Sequence, residues 1–91
     1  MRAEQGEQVR TMQVRTVRIV VSLKPGVLDA PGQAIRQGLD ALGHPGVQHV
    51  RAGKYFEVEL DDDGRVEERV REICEGFLAN TLIEDYRYEI L

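Results

Sequence analysis

The segment Val14–Leu23 is rich in β-branched residues, and apolar residues occupy every second position from Val17 to Leu23. Because successive side chains of a β-strand point to opposite faces, this period of two predicts a half-buried strand. One face carries Val17, Ile19, Val21 and Leu23, and the other carries Arg18, Val20 and Ser22. Similar alternation predicts strands over residues 55–60 and 83–91, and a short strand is predicted over residues 47–52.

Two other segments repeat their apolar residues at helical spacing. The first helix is predicted to follow Asp29, a good N-cap residue, and to stop at Gly43. Its apolar residues are Ala34, Ile35, Leu39 and Leu42. The second helix is predicted to follow the acidic turn at residues 61–64 and to stop near Ala79, with one apolar stripe formed by Val66, Val70, Ile73 and Phe77. Its solvent face carries Glu67 and Arg71, which are spaced for an ion pair.

The predicted order is strand, helix, strand, strand, helix, strand, which is the split βαβ pattern of ferredoxin-like domains. Gly53 and Lys54 leave room only for a tight hairpin between the second and third strands. We therefore expect residues 13–91 to form one α+β domain, with two helices on one face of a four-stranded, mainly antiparallel sheet.

The opposite face of this sheet would carry Val20 and Tyr55, with Tyr86 or Tyr88 as further candidates. A second copy of the sheet is the simplest cover for such a face. We therefore predict a homo-oligomer, a dimer or a tetramer, in which sheets are packed or extended between subunits.

Residues 1–12 precede the first strand and show no apolar pattern. We predict that they form a disordered extension, since their charged and Gln/Gly-containing sequence has nothing to bury. Met12 stands just before the strand, and we hypothesise that it is the natural start.

The overall composition excludes several classes of protein. A net charge of −4 argues against a surface for nucleic acid or anionic membranes. The single cysteine, Cys74, rules out an internal disulfide framework and suits a reducing cytoplasm. No apolar run approaches the roughly 20 residues needed to cross a bilayer. We expect a cytoplasmic protein.

No residue pattern in this chain predicts an active site. Cys74 adjoins Ile73 on the apolar side of the second helix, which indicates a buried structural residue. His44 and His49 have no partner at ligand spacing, and the aspartates at 61–63 lack the spacing of a calcium loop. Neither a phosphate-binding loop nor a nucleophile motif is present. We predict no catalytic, cofactor-binding or metal-binding residue.

Three charged stretches are less well explained by core packing. They are residues 21–24, residues 50–55 and residues 78–86, with the sequences VSLK, VRAGKY and LANTLIEDY. These stretches resemble, in order and spacing, the motifs of the PurS family, the small subunit of phosphoribosylformylglycinamidine (FGAM) synthase. The resemblance runs from about residue 14 to residue 90. The family tends to have proline directly after the aspartate, whereas here Ala30 separates Asp29 from Pro31.

The resemblance implies a non-catalytic bridging subunit in de novo purine biosynthesis. Such a subunit would hold a PurQ-type glutaminase and a PurL-type synthetase together and support ammonia transfer between them. The complex converts FGAR to FGAM with ATP and glutamine; ATP and Mg²⁺ would bind the synthetase, and no cofactor would bind this chain. The candidate partner-interface residues are Lys24, Arg51, Lys54, Tyr55, Glu84, Asp85 and Tyr86. Their cations would meet acidic partner surfaces, and the carboxylates would offer the opposite polarity.

Other functions remain open on the element order alone. An ACT-like regulatory module that binds a small molecule shares the predicted fold. An acylphosphatase-like enzyme is less favoured because residues 24–31 lack the expected arginine. An RNA-binding sheet is also less favoured, since it needs exposed aromatic residues on a basic face.

Overall fold

The computed structural model describes residues 13–91 of the chain. The predictions of a disordered extension at residues 1–12 and of a natural start at Met12 lie outside the described residues. The described part contains three strands, β1 (Val14–Leu23), β2 (Gly53–Asp61) and β3 (Glu84–Ile90). It also contains the helices α1 (Ala30–Ala41) and α2 (Val66–Ile73), and α2 continues directly into a π-helix over Cys74–Leu78. The predicted α+β class is confirmed.

The sheet is antiparallel throughout, in the order β2–β1–β3. Its register places Tyr86 opposite Val21 and Tyr55 opposite Val20. Residues directly opposite each other share a face, and neighbours along a strand alternate, so these two tyrosines lie on opposite faces. Tyr86 and Tyr88 both pack against the core on the helix side. Neither therefore lies on the outer face, for which they were candidates.

The core lies between the central strand and α2. Val17, Ile19 and Val21 are no more than 1% exposed, which confirms the face predicted from the alternation in β1. From the helix side they meet Val66, Val70, Cys74 and Ala79. Cys74 is fully buried, as predicted, and burial raises the pKa of its thiol.

The apolar stripe predicted for the second helix is wrong at its last residue, Phe77. Phe77 is 87% exposed, because the chain after Ile73 winds as a π-helix. The amide of Ala79 donates to the carbonyl of Cys74, five residues back, at 2.8 Å. This wider turn rotates the apolar face onto Cys74 and Ala79 and turns Phe77 to solvent.

The predicted strand at residues 47–52 is wrong, and with it the tight hairpin at Gly53. This segment has no strand assignment; Gly53 is instead the first residue of β2. The amide of Ala52 donates to the Asp29 carboxylate at 2.9 Å, so the segment is bound to the N-cap of α1 and is not paired with a strand of the described sheet. The described sheet therefore has three strands, not four.

Helix α1 begins as predicted but does not lie on the core. Asp29 is its N-cap, and Gly43 follows its end with a φ of +91°, a conformation that favours glycine. Gly32 is its one buried residue, and Ile35 and Leu42 are 49% and 77% exposed. The core cluster of the described residues contains no residue of α1. The expectation of two helices over one face is therefore not met within the chain.

Candidate subunit interface

One terminus of each of the three strands lies at the same end of the sheet. Because the strands are antiparallel, the end of β1 lies beside the starts of β2 and β3: Ser22 is opposite both Gly53 and Asp85. This end of the sheet brings together five of the seven predicted interface residues. We call the surface formed by Lys24, Arg51, Lys54, Glu84 and Asp85 the junction surface.

The two lysines of the junction surface are paired with its two carboxylates. Lys24 Nζ lies 2.7 Å from Asp85 Oδ1, and Lys54 Nζ lies 3.5 Å from Glu84 Oε2. Arg51 Nη2 donates to the carbonyl of Leu23 at 2.7 Å. These contacts tie together segments far apart in sequence, and they neutralise much of the charge that sequence analysis had assigned to partners.

Glu84 is the least exposed charged group of the two pairs, with 16% of its side chain accessible. Its second oxygen, Oε1, accepts from the amide of Asn80 at 2.7 Å. The side chain of Asn80 in turn accepts from the amide of Leu82 at 3.1 Å. The turn between the π-helix and β3 is therefore fixed by hydrogen bonds to side chains.

Asp29 joins helix α1 to the junction surface. Its Oδ1 accepts from the amide of Gly32 and its Oδ2 from the amide of Ala52, both at 2.9 Å. These hydrogen bonds lower the pKa of Asp29, and the neighbouring charges of Arg51 and His49 act in the same direction. Gly32 approaches so closely that an added Cβ would collide with the carbonyl of Val50.

The remaining two predicted residues, Tyr55 and Tyr86, are separated by the sheet. Tyr55 is 57% exposed on the outer face, and its hydroxyl donates to Glu57 at 3.3 Å. Tyr86 stands on the helix side and donates to Glu75 Oε2 at 2.6 Å. The hydrogen bond to this carboxylate raises the pKa of Tyr86 to about 12. One partner therefore cannot use both tyrosines by contacting a single face.

Sequence analysis missed two residues that build this site. Asp29 was identified only as a helix cap, and its bond to Ala52 joins positions too distant in sequence for a local pattern to reveal. Asn80 was noted only as a member of the stretch of residues 78–86. Its place two residues before Leu82 was the available signal, because Asn side chains commonly accept from the backbone amide two residues on.

Two kinds of feature, a metal-binding group and a membrane-spanning helix, are absent from the described residues. Residues 13–91 contain no group of three or more His, Cys, Asp or Glu side chains arranged to hold a metal ion. No helix in the same range is long and apolar enough to cross a membrane. The fold and the ion pairs at its strand ends define a small α+β domain.

Comparison with known proteins identifies the family of this domain. The family model for PurS, phosphoribosylformylglycinamidine (FGAM) synthase, matches residues 16–91. The PurS subunit of FGAM synthase from Bacillus subtilis is 47% identical over 75 residues, which cover 81% of this chain and 89% of that protein. The chain belongs to the PurS family, whose members are subunits of FGAM synthase.

Solved structures agree with this assignment. The crystal structure of B. subtilis PurS superposes with a TM-score of 0.80 at 45% identity, covering 85% of this chain and 98% of that one. A chain of the PurLQS structure from Thermotoga maritima gives a TM-score of 0.78 at 27% identity, covering 88% and 100%. The ACT-like alternative finds no support among these relatives.

Proposed function

We propose that this chain is the non-catalytic bridging subunit of an FGAM synthase. It holds the PurQ-type glutaminase against the PurL-type synthetase and supports the transfer of ammonia from one to the other. The observation that carries the proposal is the match to the T. maritima PurLQS structure, which spans 88% of this chain. A three-subunit assembly gives a role to a domain of this size.

The proposal places the chemistry on the partners. ATP and Mg²⁺ bind the synthetase, glutamine is hydrolysed by the glutaminase, and this chain binds no cofactor. The contribution of this chain is then positional, because a fixed distance between two active sites limits the escape of ammonia. The same role fits a cytoplasmic location, in line with the single reduced cysteine.

The junction surface is the proposed contact with the partners. Its ion pairs fix the side chains before binding, which lowers the conformational entropy lost on assembly. Arg51 is exposed, and Asp85, which pairs with Lys24, keeps 56% of its side chain exposed. Such rim charges set specificity and association rate more than affinity. Tyr55 and Tyr86 serve contacts on different faces.

A second copy of the chain is part of the proposed assembly, as a dimer or a tetramer. Support comes from two apolar surfaces that one chain leaves unmatched. Ile35 of α1 and Leu42, directly after its end, are exposed, and Phe56, Val58 and Leu60 of β2 pack against the core but are only partly buried. We propose that self-association covers them, and that the ferredoxin-like arrangement, with sheets packed or extended between subunits, is completed in this way.

Size-exclusion chromatography of the three subunits tests the bridging role. The wild-type chain should co-elute with both partners, and each partner alone should not bind the other. Lys54→Ala should weaken assembly, whereas the matched Arg36→Ala should not. Arg36 also forms an ion pair, with Asp40 at 3.0 Å, but lies on α1 away from the junction surface. If the partners co-elute equally well without this chain, the bridging role is wrong.

A further inference from the structure

One peptide bond of this chain joins a residue pair that is prone to rearrange. Asp63 is the only aspartate or asparagine in the sequence that is followed by a glycine, Gly64. The amide nitrogen after an aspartate can attack the carbonyl carbon of its side chain, and glycine leaves this nitrogen unhindered because it has no Cβ. Both residues are exposed between β2 and α2, and a Cβ added to Gly64 would meet nothing within 4 Å. The turn therefore holds a reactive pair with room around it.

The rearrangement consumes and returns only water. The nitrogen of Gly64 forms a bond to Cγ of Asp63 in its protonated form, and the carboxyl hydroxyl leaves as water together with the amide proton. Water then adds to the cyclic imide and breaks either of its C–N bonds. Cleavage of the new bond restores aspartate. Cleavage of the original bond leaves isoaspartate, in which the main chain runs through Cβ and Cγ.

The folded turn engages both reacting groups in other contacts. The amide of Gly64 donates to Asp62 Oδ1 at 3.1 Å. Asp63 Oδ1 accepts from the amide of Arg65 at 3.0 Å, and Asp63 Oδ2 lies 3.3 Å from Arg69 Nη1. The attacking nitrogen and the carboxyl group are therefore tied to different partners, and the turn must open before they can react.

The same contacts keep the carboxyl group in its less reactive form. The hydrogen bond from the Arg65 amide lowers the pKa of Asp63, and the charge of Arg69 acts in the same direction. An ionised carboxylate is a poor electrophile, because its negative charge repels an incoming nucleophile. The turn is also held to β1, since Asp62 Oδ2 lies 3.3 Å from Arg15 Nη1.

These observations define a modification site and the contacts that restrain it. We infer that the bond between Asp63 and Gly64 is an isoaspartate-forming site that the fold keeps closed, and that Asp62 and Arg69 are the side chains that close it. Opening of this turn, and not the reaction of an exposed loop, then limits the rate.

The modification acts on the start of α2. Arg65, the N-cap residue of this helix, makes no side-chain cap hydrogen bond, so the carboxylate of Asp63 supplies a side-chain acceptor just before the helix. Isoaspartate lengthens the main chain at this point and moves that carboxylate. The first turn of α2 carries Val66, which is 7% exposed and belongs to the core. Rearrangement should therefore destabilise the whole domain.

The test follows isoaspartate during incubation of the full chain at neutral pH, folded and unfolded in guanidinium chloride. Peptide mapping with fragmentation that distinguishes the two linkages measures the amount at residue 63. Arg69→Ala is compared with Arg65→Ala, a matched arginine of the same turn whose side chain pairs with Glu68 at 3.0 Å. Asp62→Ala, which releases the Gly64 amide, is the second variant. Melting curves show that each variant is folded during the incubation.

Isoaspartate should form at least about fivefold more slowly in the folded wild type than in the unfolded chain. In the folded state Arg69→Ala and Asp62→Ala should each raise this rate by about two- to fivefold, as expected for the loss of an exposed polar contact, whereas Arg65→Ala should not change it. All four rates should converge in guanidinium chloride. The modified fraction, separated by chromatography, should melt at a lower temperature than the unmodified one.

Three results would overturn the inference. Absence of isoaspartate at residue 63 in the unfolded chain would remove the site. Equal rates in the folded and unfolded wild type would show that the fold does not keep it closed. Equal rates in the folded Arg69→Ala, Asp62→Ala and Arg65→Ala variants would show that the two assigned side chains do not restrain the turn.

Discussion

Two glycines of helix α1 should respond in opposite ways to the same substitution. Gly32 and Gly38 both lie within Ala30–Ala41, and a helical pattern alone gives no reason to distinguish them. At Gly32 an added Cβ would collide with the carbonyl of Val50 and lie 2.6 Å from Asp29 Oδ2. At Gly38 an added Cβ would meet nothing within 4 Å.

The magnitudes follow from these distances. Alanine is favoured over glycine inside a helix by about 0.5–1 kcal/mol, so Gly38→Ala should stabilise the protein by that amount and raise Tm by roughly 2–8 °C. Gly32→Ala gains the same term but adds an overpacking cost of about 1–3 kcal/mol, because the carbonyl that it meets is backbone. The net loss should reach up to about 2.5 kcal/mol, or a fall in Tm of up to roughly 20 °C, so the two variants should differ by about 1–3 kcal/mol.

The assay is thermal and urea unfolding followed by circular dichroism at one fixed protein concentration, since self-association makes Tm concentration-dependent. Amide exchange at Ala52 should also accelerate in Gly32→Ala, because the variant displaces the Asp29 carboxylate that accepts from this amide. If Gly32→Ala is as stable as Gly38→Ala and protects the Ala52 amide equally, Gly32 does not lie as close to the carbonyl of Val50 as described above.

Three further predictions concern the core and the titrating side chains. Val70→Ala removes two buried methyl groups and should lower the free energy of unfolding by about 1.5–3 kcal/mol, whereas Val14→Ala, at a position that is 53% exposed, should change it by less than about 0.5 kcal/mol. Tyr86→Phe should reduce the loss of stability that occurs as the pH is raised. The pKa of Tyr86 is about 12 in the folded protein and near 10 in the unfolded chain. The hydroxyl therefore stabilises the fold below pH 10, and this stabilisation is lost as the pH approaches 12. Asp29→Asn should make the protein lose less stability in acid than the wild type does. The pKa of Asp29 in the folded protein lies below its unfolded value near 3.9, so the carboxylate stabilises the fold above that pH. This stabilisation is lost as the pH falls through the folded pKa.

Urea unfolding at a series of pH values measures all three. Equal effects of Val70→Ala and Val14→Ala would contradict the assigned core. An unchanged alkaline profile in Tyr86→Phe would contradict its bond to Glu75, although Tyr88 and Cys74, whose pKa values are also raised, should keep part of the slope. For Asp29→Asn the contradicting result is an acid profile identical to that of the wild type.

Local periodicity was sufficient for the parts of the fold that local interactions determine. The alternation in β1 identified the buried face of Val17, Ile19 and Val21, because a strand that is buried on one face leaves this mark on its sequence. Asp29 identified the start of α1 for the same reason, since capping is a contact over three residues.

The errors arose where a distant contact or an unusual turn decided the structure. Residues 47–52 have a strand-like composition, but Asp29 engages the amide of Ala52, and no sequence period records that bond. The phase shift that exposes Phe77 comes from one wide turn, which leaves the apolar spacing of α2 unchanged. The stripe of α1 was identified correctly as apolar, yet its partner is not within the described chain.

In the candidate site, too, local sequence pattern was not sufficient where distant contacts decide the structure. The sequence singled out its seven residues only as members of stretches that core packing explains poorly, and the family resemblance suggested their use, because exposed charges at strand ends have many uses. The pairing of Lys24 with Asp85 and of Lys54 with Glu84 depends on the sheet register, which the sequence did not specify at this edge. The resemblance therefore located the surface, and the register explains how it is held together.

The most direct test of the bridging role compares two nitrogen sources. Purified synthetase and glutaminase are assayed for FGAM formation with glutamine and, separately, with saturating ammonium, each with and without this chain. We predict that the chain raises the glutamine-dependent rate strongly and leaves the ammonium-dependent rate nearly unchanged, because it positions the two active sites and performs no chemistry itself. A glutamine-dependent rate that is equally high without the chain would contradict the bridging role, and an ammonium-dependent rate that requires the chain would place it in the synthetase reaction itself.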